Sequence, residues 1–224
     1  MSGNFADGVD AATESGDHGK FGFWFFKGDQ ALKTDSDGER IEYGPGDITA
    51  ADNWPALRGT RFANGPVEAA VFSGSGFWFF QGSYCVKTDP KGNDILVAPS
   101  PITAPGNWPA LAGTPFQDGV DAVVASGDHG KFGFWFLKGG QALKTDPKGE
   151  RVEHGPSAIT AAENWPALTG TRFASGIDAS VFSGSGFWFF QGGHCVKTDP
   201  KGNEIIVPDS LITAAGNWPA IRGH

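Results

Sequence analysis

Apolar residues along this chain fall in short dense runs, and four of the runs are nearly one sequence. They are Phe23-Trp24-Phe25-Phe26, Phe77-Trp78-Phe79-Phe80, Phe134-Trp135-Phe136-Leu137 and Phe187-Trp188-Phe189-Phe190. A strand that is apolar on both faces must be covered on both. Each run closes on Lys27-Gly28, Gln81-Gly82, Lys138-Gly139 or Gln191-Gly192, which predicts a tight hairpin with glycine at positive φ. A third strand ending in Lys-Thr-Asp follows. It leads into Ser36-Asp37-Gly38, or into Pro-Lys-Gly beginning at Pro90, Pro147 and Pro200, a type I turn closing on a glycine bulge. A fourth strand is expected over residues 39–43 in the first copy and 94–97 in the second. Upstream of each aromatic run lies a small-residue segment: Val9-Asp10-Ala11-Ala12, Val67-Glu68-Ala69-Ala70, Val120-Asp121-Ala122-Val123 and Ile177-Asp178-Ala179-Ser180. These predict strands converging on a narrow channel. Thr49-Ala50-Ala51-Asp52 and Thr160-Ala161-Ala162-Glu163 read as capped starts of a helical turn, ended by the Pro that follows each Trp.

The Asn-Trp-Pro tryptophans Trp54, Trp108, Trp165 and Trp218 are spaced by 54, 57 and 53 residues. A period of that length makes each unit bury its apolar faces against its neighbours. Four units, at about 5–58, 62–112, 116–169 and 173–224, account for a single domain over 1–224. The expected fold is an all-β, four-bladed β-propeller. A second level of repetition lies inside it. Asp10 and Asp121, His18 and His129, and Trp54 and Trp165 each stand 111 residues apart, and Cys85 and Cys195 stand 110 apart. The ring is therefore a duplicated two-blade module, and any feature private to one blade type should occur twice.

Composition narrows the partners. The 224 residues carry a net charge of −8, which argues against nucleic acid or an anionic membrane as a partner and suits a cationic ligand such as a polyamine. No stretch has the apolar length of a membrane span, so no membrane insertion is expected, and the first residues lack the basic flank and apolar core of a signal peptide. Cys85 and Cys195 fall in opposite blades, too far apart for a disulfide, and read as buried thiols of a reducing compartment. A cytoplasmic location is the expectation.

Strand, strand, strand, strand and a short turn bearing Trp-Pro resembles the hemopexin-type repeat over essentially the whole chain. The Asp-Ala inner strand, the aromatic strand closing on Lys/Gln-Gly, and the terminal Ile-Thr with Trp-Pro-Ala-Leu carry the resemblance. In organisation it looks most like the stand-alone hemopexin-fold proteins of the plant seed albumin-2 group. No cysteine is placed to staple the first blade to the last, so ring closure must rest on packing. The resemblance implies a structural Ca²⁺ or Na⁺ on the central axis, held by backbone carbonyls of Asp10, Glu68, Asp121 and Asp178, a hard-oxygen donor set. The alternative is a water-filled channel whose carboxylates cap neighbouring amides. Haem or polyamine binding is a further implication of the resemblance.

One loop breaks the fourfold pattern. Between the first two strands, blades two and four have Ser73-Gly74-Ser75-Gly76 and Ser183-Gly184-Ser185-Gly186. Blades one and three insert four residues, bringing in Asp17, His18, Lys20 and Phe21, and Asp128, His129, Lys131 and Phe132. Asp and His can bond sugar hydroxyls while Phe covers an apolar sugar face. Equally, His can ligate haem iron with Lys on a propionate, or the loop can pack in a homodimer. His154 aligns with Tyr43 and His194 with Tyr84, so neither reads as a metal ligand. No phosphate loop, nucleophile elbow or zinc motif occurs, and the carboxylates are repeated rather than paired. The sequence therefore reads as no enzyme but a small-ligand or glycan binder, lectin-like, with repeated sites; a storage or structural role is the alternative.

Overall fold

The computed structural model describes residues 4–16, 19–126 and 130–224. Sixteen strands form four antiparallel sheets, each ordered as in sequence. Blade 1 comprises β1 (Ala11–Glu14), β2 (Gly22–Lys27), β3 (Gln30–Asp35) and β4 (Ile41–Asp47). Blade 2 comprises β5 (Ala69–Phe72), β6 (Phe77–Gln81), β7 (Tyr84–Thr88) and β8 (Ile95–Pro101). Blade 3 comprises β9 (Ala122–Ser126), β10 (Gly133–Lys138), β11 (Gln141–Thr145) and β12 (Val152–Ala158). Blade 4 comprises β13 (Ala179–Phe182), β14 (Phe187–Gln191), β15 (His194–Thr198) and β16 (Ile205–Leu211). The innermost strands β1, β5, β9 and β13 adjoin one another in a closed ring. This is a four-bladed propeller with no α-helix among the described residues.

The double-faced aromatic strand builds all four blade interfaces, because its side chains alternate between faces. Phe23 and Phe25 point toward blade 4, and Trp24 and Phe26 toward blade 2. Phe134 and Phe136 likewise face blade 2, while Trp135 and Leu137 face blade 4. Four separate buried clusters result, one per interface, and every Asn-Trp-Pro tryptophan is wedged into one of them. Trp54, for example, lies edge-on to Phe77 and Phe79 of the next blade at 5.4 and 5.2 Å.

The inner strands begin two residues later than expected, at Ala11, Ala69, Ala122 and Ala179, and the outer strands run seven residues. The helical turn also lies on the other side of the tryptophan. Residues around Thr49 form a turn in which the Thr49 amide and hydroxyl both donate to the Asp47 carboxylate at 2.7 Å. The 3-10 turns are Pro55–Leu57, Pro109–Leu111, Pro166–Leu168 and Pro219–Ile221. Proline starts them because its fixed φ suits the first helical position, where its missing N–H costs nothing. A second series of 3-10 turns, Phe5–Asp7, Arg61–Ala63, Pro115–Asp118 and Arg172–Ala174, plugs each interface with a buried Phe.

Closure uses the devices that join every other pair of blades. The Ala56 amide donates to the Gly92 carbonyl at 3.1 Å, and the Ala220 amide donates to the Gly38 carbonyl at 3.1 Å, now between blades 4 and 1. The Phe5 amide donates to the His224 carbonyl, and Phe5 itself is buried among blade 4 residues. Cys85 and Cys195 are buried free thiols in opposite interfaces, and burial pushes both up to about 12.

Candidate ligand cavities

The four acidic residues expected near the axis each do one task with their side chains. Each stands just before an innermost strand and accepts from the hairpin glycine amide of its own blade. Asp10 accepts from Gly28 at 2.7 Å, Glu68 from Gly82 at 2.6 Å, Asp121 from Gly139 at 2.7 Å and Asp178 from Gly192 at 2.8 Å. Asp10 also pairs with Lys27 at 2.9 Å. The carboxylates thus tie the inner strand to the β2–β3 hairpin and its counterparts. Among the described residues no cluster of three or more His, Cys, Asp or Glu side chains is arranged for a metal ion.

Of the long-loop residues, Asp17, His18, Asp128 and His129 lie outside the described residues. The described ones divide between two faces of their blade. Phe21 and Phe132 are 58% and 50% exposed and sit edge-on to Phe23 and Phe134 at 5.5 and 5.7 Å, on the side of the preceding blade. The Lys20 and Lys131 carbonyls instead accept from the buried ammonium groups of Lys33 and Lys144. Lys131 lines a cavity of about 450 Å³ with Trp135, Lys144, Glu153, His154 and Glu163. Its counterpart in blade 1, at Lys20, Glu42 and Tyr43, is reduced to about 250 Å³. There Tyr43 stacks on Trp24 and Glu42 bonds Lys33 at 2.9 Å.

A second pair of cavities lies between blades and is related by the pseudo-twofold. One, of about 540 Å³, opens between blades 2 and 3 and is lined by Ser73, Ser75, Trp78, Lys87, Asn107 and Trp108, with Phe134, Pro147, Lys148 and Glu150 on the far side. Its twin between blades 4 and 1, of about 300 Å³, has Ser183, Ser185, Trp188, Lys197, Asn217 and Trp218, with Ser36 and Asp37 opposite. Each holds a pair of tryptophans edge-to-face, Trp78 with Trp108 at 5.4 Å and Trp188 with Trp218 at 5.5 Å. Lys87 lies over the Trp78 ring and donates to the Ser75 hydroxyl at 2.8 Å; Lys197 does the same with Trp188 and Ser185. Burial lowers both ammonium groups from the ordinary lysine value. The short Gly-Ser-Gly loops leave these cavities open. The exposed Phe132 sits edge-on to Phe134, a lining residue, so Phe132 of blade 3 stands beside the cavity that the short loop of blade 2 opens.

Neither the Asn-Trp-Pro tryptophans nor the Lys-Thr-Asp lysines were expected from the sequence to line a site, yet Trp108, Trp218, Lys87 and Lys197 do so. The signal was present, since a lysine kept in all four copies beside an apolar strand is not explained by solvation. His194 is held at the surface by Asp209 at 2.7 Å, which Arg172 also bonds.

No family model matches the chain, and no curated protein matches it. Solved structures do. A hemagglutinating plant albumin from Cicer arietinum superposes with a TM-score of 0.82 at 22% identity, covering 96% of this chain and 97% of its own. The hemopexin-fold protein CP4 from cow pea gives 0.81 at 24% identity over 96% and 97% of the two chains. This chain has the hemopexin-type fold. A seed protein from Dolichos described as a 2S albumin gives 0.82 at 25% identity over 96% and 97% of the two chains. A plant lectin with two metal-binding sites, also from Cicer arietinum, gives 0.81 at 22% over the same shares. Hemopexin-fold seed albumins are thus its structural neighbours.

Proposed function

We propose that this hemopexin-type propeller is a non-enzymatic carbohydrate-binding protein with one site per two-blade module, set in the cavities between blades 2 and 3 and between blades 4 and 1. The observation that carries the reading is the duplication of a Trp-Ser-Lys-Asn cavity on opposite sides of the ring. Aromatic surface takes the apolar face of a sugar ring, and hydroxyl and ammonium groups meet its hydroxyls. Two sites on opposite sides of the ring give avidity for multivalent glycans. Hemagglutinating and lectin activity among structural neighbours fits this reading. The exposed Phe21 and Phe132 extend each site at its rim. Calorimetry with a sugar identified on a glycan array should find two sites per chain. Ser75 and Ser185 are exposed, so the double change Ser75→Trp with Ser185→Trp should fill both cavities and abolish binding with little change in melting temperature. Binding that survives in this variant moves the site elsewhere.

An axial Ca²⁺ or Na⁺ is part of the same proposal. The carboxylates of Asp10, Glu68, Asp121 and Asp178 are engaged by glycine amides, so these residues have their main-chain oxygens to offer an ion. Such an ion would brace the innermost strands. Chelation should then lower the melting temperature, with recovery on adding Ca²⁺; no shift would leave the channel to water.

A further inference from the structure

All four blades keep the lysine that ends the third strand, but only two keep a carboxylate beside it. In blade 1, Lys33 is paired with Glu42 at 2.9 Å, and in blade 3 Glu153 stands at the matching position beside Lys144. The matching residues of blades 2 and 4 are Leu96 and Ile206, as the strand registers fix: Lys33 opposes Tyr43, Lys87 opposes Val97 and Lys197 opposes Val207. Leu96 and Ile206 are 51% and 50% exposed, so neither replaces the carboxylate with core packing. Among the described residues no carboxylate comes within 4.0 Å of Lys87 or Lys197. Each ammonium has three donors, and one goes to a serine hydroxyl. Both line open cavities.

We propose that these two cavities are anion-accepting sites, in which a carboxylate or sulfate carried by the ligand takes the place that Glu42 occupies beside Lys33. The ligand class is an acidic sugar, a uronate or a sulfated residue, in so far as the cavities are the carbohydrate sites proposed above. A partly desolvated ammonium gains more from an ionic partner than one in water. The twins are not equal. Lys148 lies across the cavity from Lys87, where the twin has Asp37 across from Lys197; Glu150 also lines the first. The blade 2–3 cavity therefore takes the anion more tightly than the blade 4–1 cavity.

The test compares glucuronate, its uncharged methyl ester and inorganic sulfate by calorimetry on the intact protein and on a variant that supplies the missing carboxylates, Leu96→Glu with Ile206→Glu. Both positions are exposed, and the new side chains repeat the Glu42–Lys33 geometry, so the fold is kept. Glucuronate should bind roughly tenfold more tightly than the ester, a difference of one charge-assisted hydrogen bond, and the variant should erase that preference. Asp37→Lys should strengthen the weaker site several-fold and Lys148→Asp should weaken the stronger. Equal binding of glucuronate and ester overturns the proposal and leaves the sugar reading intact. So does an anion preference that the double variant keeps. Sulfate binding that the variant abolishes, with no sugar bound at all, upholds the anion site and sinks the carbohydrate reading.

Discussion

At the scale of single residues, glycine and glutamate give the sharpest tests. Gly149 has φ 69°, and a Cβ there would lie 2.6 Å from the Trp108 ring and 3.0 Å from the Asn107 carbonyl oxygen. Gly170 has φ 79° but open space around it. Gly170→Ala should cost about 1 kcal/mol for the left-handed backbone alone, whereas Gly149→Ala should cost about 2–4 kcal/mol because a blade contact must also give way. Denaturant midpoints would separate the two. Glu14 closes the first innermost strand where the pseudo-twofold copy has Ala125. Burial pushes its carboxyl from 4.5 up to about 7, against a smaller pull from its own backbone amide. Folded protein therefore holds this proton over the window from about 4.5 to 7, while the unfolded chain has released it. Stability falls as pH rises through that window and the full cost is present above it. With the side chain only half-buried, that cost is on the order of 2 kcal/mol. Glu14→Gln should raise the melting temperature at pH 8 and leave it unchanged at pH 4; a gain of the same size at both pH values would mean packing, not charge.

Among the elements, the aromatic strand was legible and the turn after the fourth strand was not, and the physical reasons differ. Residues such as Phe23 through Phe26 admit few fates, because a run apolar on both faces has to be covered on both. Leu137 in place of a fourth Phe does not disturb this, since the face is what matters. The Thr49 and Thr160 segments carry helix-start chemistry, yet threonine also favours turns; Asp47 closes the first with its carboxylate, and the second forms the same backbone turn on Ala158. Local preference was balanced there, and the proline after each tryptophan decided where the helical turn began. The cavities were less legible still. Lys87 and Leu96 lie nine residues apart, and only the strand register shows that a charge and its vanished partner belong together. Alternation within the strand can itself be measured. Phe136 meets Phe80 and Trp108 toward blade 2, while neighbouring Leu137 lies in the blade 3–4 cluster. Phe136→Ala should cost about 3–5 kcal/mol and Leu137→Ala about 2–5, and the double variant should be additive to about 0.5 kcal/mol although the residues are adjacent. Phe136→Ala combined with Trp108→Phe should be clearly non-additive, since those two share one interface.

On the scale of the whole molecule, the duplication makes the two halves interchangeable at their seams. The blade 2–3 interface sets Trp78, Phe80, Cys85 and Trp108 against Phe134, Phe136 and Leu143. The blade 4–1 interface sets Trp188, Phe190, Cys195 and Trp218 against Phe23, Phe25 and Leu32. The two seams use the same residue types in the same places. Residues 1–112 expressed alone therefore expose one copy of each half-seam, and two such fragments can close the ring that the intact chain closes on itself. Each fragment alone would leave two aromatic faces in water, so association is strongly favoured over a monomer. Light scattering should report a dimer; a monomer or an open-ended aggregate would mean that the seams, though alike in residue type, are not alike in shape. Such rings also re-sort the cavities. In a dimer of 1–112, Lys87 faces Asp37 of the other copy, and in a dimer of 113–224, Lys197 faces Lys148. The first ring should hold two weak anion sites and the second two strong ones, where the intact chain has one of each. If both rings bind glucuronate alike, the charge opposite the lysine does not set the preference, and the difference between the twin cavities must come from their size.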